Sequence, residues 1–384
     1  NISLPTLYSY VSRGLIRSET ADNSKRTRRY YADDIETLIR RKEATKNPEI
    51  MAESALDWGA PVLDSALTLI VDGRLYYRGH DVATLAYDYT LEQVAGLLWA
   101  QDMSTGEALF DDIVASAPSD LPEGLPTFNR LQAGLTSASV EDYKAYDLST
   151  DAVQATGARI LALMVAATLR TGSLTMFDTT LAEHLAGAWL PDAPHLKYLL
   201  DCAMILCADH ELNASSFTAR IIASTGATPY AVVSGGLSAL SGVKHGGRTA
   251  RVDAFLNEIL HASDMRTALV QRLQRGEDFP GFGHKLYPDG DPRARILLDA
   301  IRESNMDIAP YDSIVTTMSE LINTAPNIDF ALVVLKRALG LPAGSALILF
   351  ALGRTVGWIA HAIEQYSTDT LIRPRARYVG IQPD

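Results

Sequence analysis

A chain of 384 residues, 47% hydrophobic and 21% charged, is long enough for two or three domains around a sizeable core and has the composition of a globular protein. Its net charge of −12 is uneven: residues 1–48 hold ten Lys/Arg and six Asp/Glu, a balance of +4, which leaves −16 on the rest. The acidic body excludes nucleic acid as that part's main ligand, and the only two cysteines, Cys202 and Cys207 in one apolar run, exclude a disulfide framework or a Cys-based metal site. No stretch approaches the ~18 uninterrupted apolar residues of a membrane span and no basic-then-apolar leader is present, so a cytoplasmic protein with no membrane partner is expected.

Residues 1–46 read as helix, basic connector, helix. Leu4, Leu7, Tyr8 and Val11 keep a helical period that stops at Gly14. A dense basic and aromatic run follows from Ser24 to Tyr31, and then Asp33 and Asp34 place acids where a helix N-terminus favours them. Residues 43–52 form a polar linker containing Pro48. Beyond it, 66–78 alternates as two short strands around Asp72-Gly73, the one β signal that the chain offers.

Helical periods dominate from Leu91 onward, over 91–99, 152–169, 180–188, 196–208, 217–224, 230–240, 252–260, 266–275, 293–303, 314–321, 330–339 and 345–365. Internal repeats, heptads and low-complexity tracts are absent. The body is expected to be all-α, with a short N-terminal β-hairpin.

Chemistry-bearing residues gather in the second half. On a helix, His210, Asn213, Phe217 and Arg220 would share one face, which is also the pattern of an ordinary polar face. His245 sits between Lys244 and Gly246-Gly247 at the end of a helical period, where small residues let backbone approach a ligand. The Gly/Pro-rich stretch from Phe279 to Arg295 is a loop by composition and carries His284 and Arg293; a Gly-His turn is also a common surface feature. Asp329 stands at the start of an apolar helix, where it serves equally as a cap or as a carboxylate in a site. Arg354, Trp358 and His361 follow at helical steps, and Arg373-Pro-Arg lies near the C-terminus. Histidines, an aspartate and several arginines, without Cys pairs or His-x-x-x-His, point to acid–base chemistry on an anionic substrate and to no metal. Gly-x-Ser-x-Gly, a Walker loop and a dinucleotide fingerprint are all missing.

These motifs, in this order, resemble the citrate synthase family: His210-Glu-Leu-Asn-Ala-Ser, Ser241-Gly-Val-Lys-His-Gly-Gly, Gly281-Phe-Gly-His-Lys-Leu-Tyr with Asp291-Pro-Arg293, Asn327-Ile-Asp329-Phe, Arg354-Thr-Val-Gly-Trp-Ile-Ala-His361 and Arg373-Pro-Arg. The hairpin run from Asp72 to His80 matches as well, so the resemblance extends from about residue 60 to the end. It implies a citrate synthase fold with a large helical domain (47–245 and 341–384) and a small one (246–340) that closes over the site. It implies an acyltransferase of the tricarboxylic acid cycle that condenses acetyl-CoA with oxaloacetate to citrate and CoA and then hydrolyses the thioester. In that reading Asp329 takes the methyl proton, His245 hydrogen-bonds the thioester oxygen and His284 polarises the ketone. His210, Arg293, Arg354 and Arg373 hold the oxaloacetate carboxylates, Arg373 being supplied across a homodimer interface. Gly281, Phe282, Gly283 and Lys285 would bind CoA; acetyl-CoA is a co-substrate and no bound cofactor or metal is needed. The chain departs from the family pattern at Val243-Lys244, Arg248-Thr-Ala, Pro288 and Ala331-Leu332, positions that bear on acyl-CoA choice and CoA binding.

Two alternatives stand beside this. A 2-methylcitrate synthase would take propionyl-CoA instead. The front segment resembles part of the winged helix-turn-helix of mercury-resistance regulators and excisionases, its first helix missing and the chain starting inside the motif. That implies a DNA-binding metabolite sensor on a citrate-synthase-like body. Tyr8, Arg13, Lys25, Arg26, Arg28 and Arg29 would be its DNA contacts.

Overall fold

The computed structural model describes residues 63–118 and 121–383, together with Leu7, Tyr10, Val11, Ser18–Thr20, Arg28–Tyr30 and Tyr31 ahead of them. The chain divides into two compact units, Asn1–Asp64 and Ser65–Asp384. In the first, Leu7, Tyr10 and Val11 have helical backbone, while Leu4 and Tyr8 of the expected period lie outside the described residues. Strand β1 (Ser18–Thr20) pairs antiparallel with β2 (Arg28–Tyr30), Ser18 opposite Tyr30 and Thr20 opposite Arg28. The basic connector therefore ends in a strand, which its Tyr30-Tyr31 pair favours. Of the residues expected to touch DNA, Arg28 and Arg29 lie on β2, whereas Tyr8, Arg13, Lys25 and Arg26 lie outside the described residues.

The second unit opens with the expected hairpin. β3 (Thr68–Val71) pairs with β4 (Arg74–Tyr77) through Asp72 and Gly73, both at positive φ (50° and 69°), the conformation of a type I′ turn. β5 (His80–Asp81) adds a third strand. One more pairing, β6 (Val114–Ala115) with β7 (Leu174–Thr175), corrects the expectation of a single β region; two residues per strand leave no alternation to read.

Everything else regular is helical. The helices are α1 (Val82–Asp88), α2 (Leu91–Ala100), α3 (Thr105–Phe110), α4 (Thr127–Ala138), α5 (Thr150–Leu169), α6 (Leu181–Trp189), α7 (Lys197–Cys207) and α8 (Ala214–Ala223). They continue with α9 (Pro229–Leu240), α10 (Arg248–Leu260), α11 (Met265–Gln274), α12 (Pro292–Glu303), α13 (Ala309–Ile322), α14 (Ile328–Ala338) and α15 (Ser345–Thr368). Their starts follow from capping chemistry. Thr90 with Gln93 and Thr180 with Glu183 form reciprocal capping boxes at α2 and α6. Asn213, Asp264, Asp291 and Asn327 cap α8, α11, α12 and α14 with side-chain oxygens. α1, α3 and α4 carried too weak a period to be expected.

The core runs along α5 and α15. Both are long and apolar enough to cross a membrane, yet 78% and 94% of their most apolar windows are buried inside the protein, as core helices of a helical domain are. α15 lies directly against the end of α7. A Cβ at Gly353 would stand 2.1 Å from the Met204 carbonyl oxygen, and one at Gly357 would stand 2.2 Å from that of Ala208. Only glycine permits this approach, and it fixes the segment that leads from α7 into Asp209 and His210. α12 and α10 both pack on α14, which packs in turn on α15.

Candidate active site

Two loops are zipped together, one carrying His284 and the other leading into Asp329. The Gly283 N–H donates to the Ala325 carbonyl (2.9 Å), the Asn327 N–H to the Gly281 carbonyl (2.8 Å), and Asn327 Nδ2 to the Gly283 carbonyl (3.1 Å). Gly281 has φ +88°, and a Cβ there would meet Phe330 Cβ at 3.0 Å, so both the turn and the packing demand glycine. Asn327 is the cap of α14, accepting from Asp329 N at 3.1 Å. Asp329 is thus relieved of capping. Its buried Oδ1 finds no hydrogen-bond partner among the described residues, an arrangement a merely structural carboxylate avoids.

His245 occupies the turn between α9 and α10. Its Nε2 lies 2.8 Å from Ser215 Oγ, which also lies 2.8 Å from Asn213 Oδ1. The expectation that His210, Asn213, Phe217 and Arg220 share a helix face is corrected here. Asn213 caps α8 through Ser215 N and Ser216 N, so His210 precedes the helix in irregular backbone. Asn prefers that cap to a helix interior, which a periodicity count does not register. Arg220 faces away into a pair with Glu364 (2.8 Å) and Gln365 (3.1 Å).

His210 joins His284 through Tyr287. His210 Nε2 lies 2.9 Å from the Tyr287 hydroxyl, and the His210 and His284 rings meet edge-on with centroids 5.3 Å apart. The Leu286 N–H donates to His284 Nδ1 (3.2 Å), which leaves the proton of a neutral ring on Nε2. Arg293 is held by its own near neighbour: Nε and Nη2 donate to the two oxygens of Asp291 at 2.9 and 2.8 Å, and Asp291 also accepts from Ile328 N at 3.1 Å. One fork of Arg293 is therefore occupied by Asp291 through Nε and Nη2. Arg354, fully buried on α15, donates Nε to the Cys207 carbonyl (2.7 Å) and leaves Nη1 without a partner.

Charge is distributed to match. Burial lowers the pKa of His245 to about 3, helped by Arg354, Arg293 and Arg248. Burial, with Arg293 beside it, lowers that of His284 to about 4. His210 is lowered well below its ordinary value by burial, then by Arg293 and Arg354. All three imidazoles are neutral donors at neutral pH. Burial raises the Asp329 carboxyl to about 7, against the opposing pull of Arg293 and Arg248. Burial lowers Arg354 without an ion pair of its own, whereas Asp291 overcomes that same burial and raises Arg293. Neutral N–H donors, two guanidinium groups and one near-neutral carboxylate together suit proton abstraction beside a carbonyl on an anionic substrate.

Of the residues singled out from sequence, His210, His245, His284, Arg293, Asp329 and Arg354 converge. Arg373 does not; it is exposed in the irregular stretch after α15. A cavity of about 220 Å³ lined by Gly281, Phe282, Phe279, Thr324, Arg248 and Arg251, among others, contains two of the four expected CoA contacts, while Gly283 and Lys285 are not in its lining. Ser215, Tyr287, Asp291 and Arg248 went unassigned in the sequence reading, although Asp291 stands in the Asp-Pro-Arg run. Among the described residues, no group of three or more His, Cys, Asp or Glu could hold a metal ion.

The family model for the C-terminal domain of citrate synthase matches residues 55–375. The chain belongs to the citrate synthase family. It is 33% identical over 358 residues to the citrate synthase of Haloferax volcanii, covering 84% of this chain and 94% of that one. It is also 28% identical over 352 residues to a 2-methylcitrate synthase of Mycobacterium tuberculosis, covering 84% and 89%. The crystal structure of citrate synthase from Thermotoga maritima superimposes with a TM-score of 0.70 at 28% identity, over 85% of this chain and 95% of that one. The expected mostly helical citrate synthase fold is thereby met.

Proposed function

We propose that the protein condenses acetyl-CoA with oxaloacetate and hydrolyses the resulting thioester, giving citrate and CoA. The observation that carries this reading is the buried, unpartnered Oδ1 of Asp329, whose carboxyl burial raises to about 7 in a site that also holds Arg293 and Arg354. A general base works best with a pKa near the working pH. Asp329 takes a proton from the acetyl methyl group, and the negative charge moves onto the thioester oxygen. His245 donates to that oxygen. The Ser215 hydroxyl donates to Asn213 Oδ1, and its oxygen lies against His245 Nε2, so the pair fixes the orientation of the His245 ring. Such a preplaced donor lowers the barrier by ~3–4 kcal/mol.

The carbon nucleophile then attacks the ketone of oxaloacetate, whose oxygen is polarised by the Nε2–H of His284. Arg293 Nη1, Arg354 Nη1 and His210 hold the carboxylates, since guanidinium groups pair with carboxylates in plane. Water cleaves the citryl thioester, releasing CoA and citrate. We assign residues 47–245 with 341–384 to a large domain and 246–340 to a small one whose closure excludes water. Arg373 serves the site of a second copy of this chain in a homodimer. The cavity lined by Phe279, Gly281 and Phe282 receives CoA, with Gly283 and Lys285 as contacts beyond its lining; no resident cofactor is required. The buried free thiols of Cys202 and Cys207 fit a cytoplasmic location.

Propionyl-CoA is the second acyl donor to weigh, because a 2-methylcitrate synthase is among the relatives aligned along most of the chain. One methylene discriminates by only ~1–3 kcal/mol. Release of CoA thiol from acetyl-CoA and from propionyl-CoA, each with oxaloacetate and then in competition, ranks the two. No release with either thioester removes the catalytic reading. DNA contact is a separate property, favoured by the pairing that sets Arg28 and Arg29 on a hairpin strand. A mobility shift that weakens with salt is expected from it, and an absent or salt-insensitive shift removes it.

A further inference from the structure

Asp209 is fully buried immediately before His210, and no step above uses it. Its Oδ1 accepts from His361 Nε2 at 3.1 Å, and its Oδ2 accepts from Thr68 Oγ1 at 2.5 Å. Ser216 Oγ approaches Oδ1 at 3.5 Å. Its backbone is clamped as well, because the Tyr77 hydroxyl lies 3.0 Å from both the Asp209 N and the Asp209 O. Four elements therefore converge on this residue: β3, α8 and α15 on its carboxylate and β4 on its backbone.

The same carboxylate faces Arg354. Burial disfavours the Arg354 cation, and Asp209 is the foremost neighbouring charge that favours it. Asp209 makes no direct bond to that guanidinium, whose Nε is taken by Cys207 and whose Nη1 is unpartnered. His361, Arg354 and Gly357 ride on the same helix, and Gly357 brings that helix within touching distance of Asp209. A carboxylate bonded to the helix that carries Arg354, and joined to the next residue's backbone, positions both groups without touching substrate.

We propose that Asp209, paired with His361, is the positioning residue of the dicarboxylate pocket. It holds the α15 helix on which Arg354 rides, fixes the backbone of His210, and so sets the affinity for a 2-oxo dicarboxylate such as oxaloacetate. The proposal rests on the reading of Arg354 and His210 as carboxylate partners.

The test is the full chain carrying Asp209→Asn, His361→Ala, His361→Gln or Thr68→Val, with KM for oxaloacetate and acetyl-CoA measured separately. Asp209→Asn and His361→Ala are expected to raise the oxaloacetate KM about tenfold or more and to leave the acetyl-CoA KM within about twofold, the loss of one charged hydrogen bond. His361→Gln, whose amide still donates to Asp209, restores affinity to within about threefold of wild type. A purely structural role would lower the active fraction and kcat with both KM values unchanged, and that result overturns the proposal. Should Asp209→Asn fail to fold, Thr68→Val decides: an unchanged oxaloacetate KM overturns it. Calorimetric binding of oxaloacetate without acyl-CoA separates the two readings. Wild-type protein that binds oxaloacetate but releases no CoA sinks catalysis alone, while equal binding by wild type and Asp209→Asn sinks this inference alone.

Discussion

The carboxyl of Asp329 should weaken the fold wherever it is ionised, and Asp329→Asn should recover that loss. Its pKa in the folded protein is about 7, raised by burial from the ordinary 3.8. For a group raised on folding, stability is fully present below the unfolded value and is lost as pH climbs through the folded one. The window therefore runs from about pH 4 to about pH 7. A shift of roughly three units at ~1.36 kcal/mol each comes to about 4 kcal/mol at pH 8, and to about 2 kcal/mol at pH 5. Asparagine keeps the shape and does not titrate, and its own unpaired amide adds an offset that pH does not change. Urea unfolding of both proteins at pH 5 and pH 8, at one protein concentration, reads the difference. The advantage of Asp329→Asn should grow by about 2–3 kcal/mol between the two pH values. A constant difference, or one that shrinks with pH, would show an ordinary surface-like carboxylate and refute the reasoning that burial has prepared a base.

Two further outcomes follow from the same geometry. Ser215→Ala leaves His245 Nε2 without its 2.8 Å partner, so kcat should fall roughly tenfold or more with the oxaloacetate KM little changed; steady-state kinetics check this. Arg248 pulls the Asp329 pKa down and lines the cavity assigned to CoA. Arg248→Ala should therefore raise the acetyl-CoA KM and move the acid limb of kcat/KM to higher pH, and an unmoved limb would place Arg248 outside the site.

The helical body was legible because the apolar period of segments such as 152–169 and 345–365 is set by burial on one side or all round. The hairpin was legible because Asp72-Gly73 is a turn signal with its own backbone requirement. Strands β6 and β7 were not, being two residues each and held by tertiary pairing. The helix face drawn through His210 and Asn213 failed because an asparagine that caps and one that continues a helix occupy the same period; only the accepted N–H groups distinguish them. Of the site, His245, His284, Asp329, Arg293 and Arg354 were legible as ordered motifs. Their partners were not: Tyr287 and Ser215 matter through distance to a histidine, and Asp291 through the fork it fills on Arg293. Arg248 is a single charge on α10 whose influence on Asp329 arises from folding. Arg373 was expected in the site and is exposed in a single copy of the chain, where a second copy would have to meet it.

The most direct measurement is CoA thiol release from acetyl-CoA plus oxaloacetate by the pure full-length protein and by its Asp329→Asn variant. Wild type should release thiol only when oxaloacetate is present, and the variant should be slower by about 10²–10⁴-fold, the range for removing a general base. Thiol release that persists undiminished in Asp329→Asn, or that never occurs in wild type, contradicts the account.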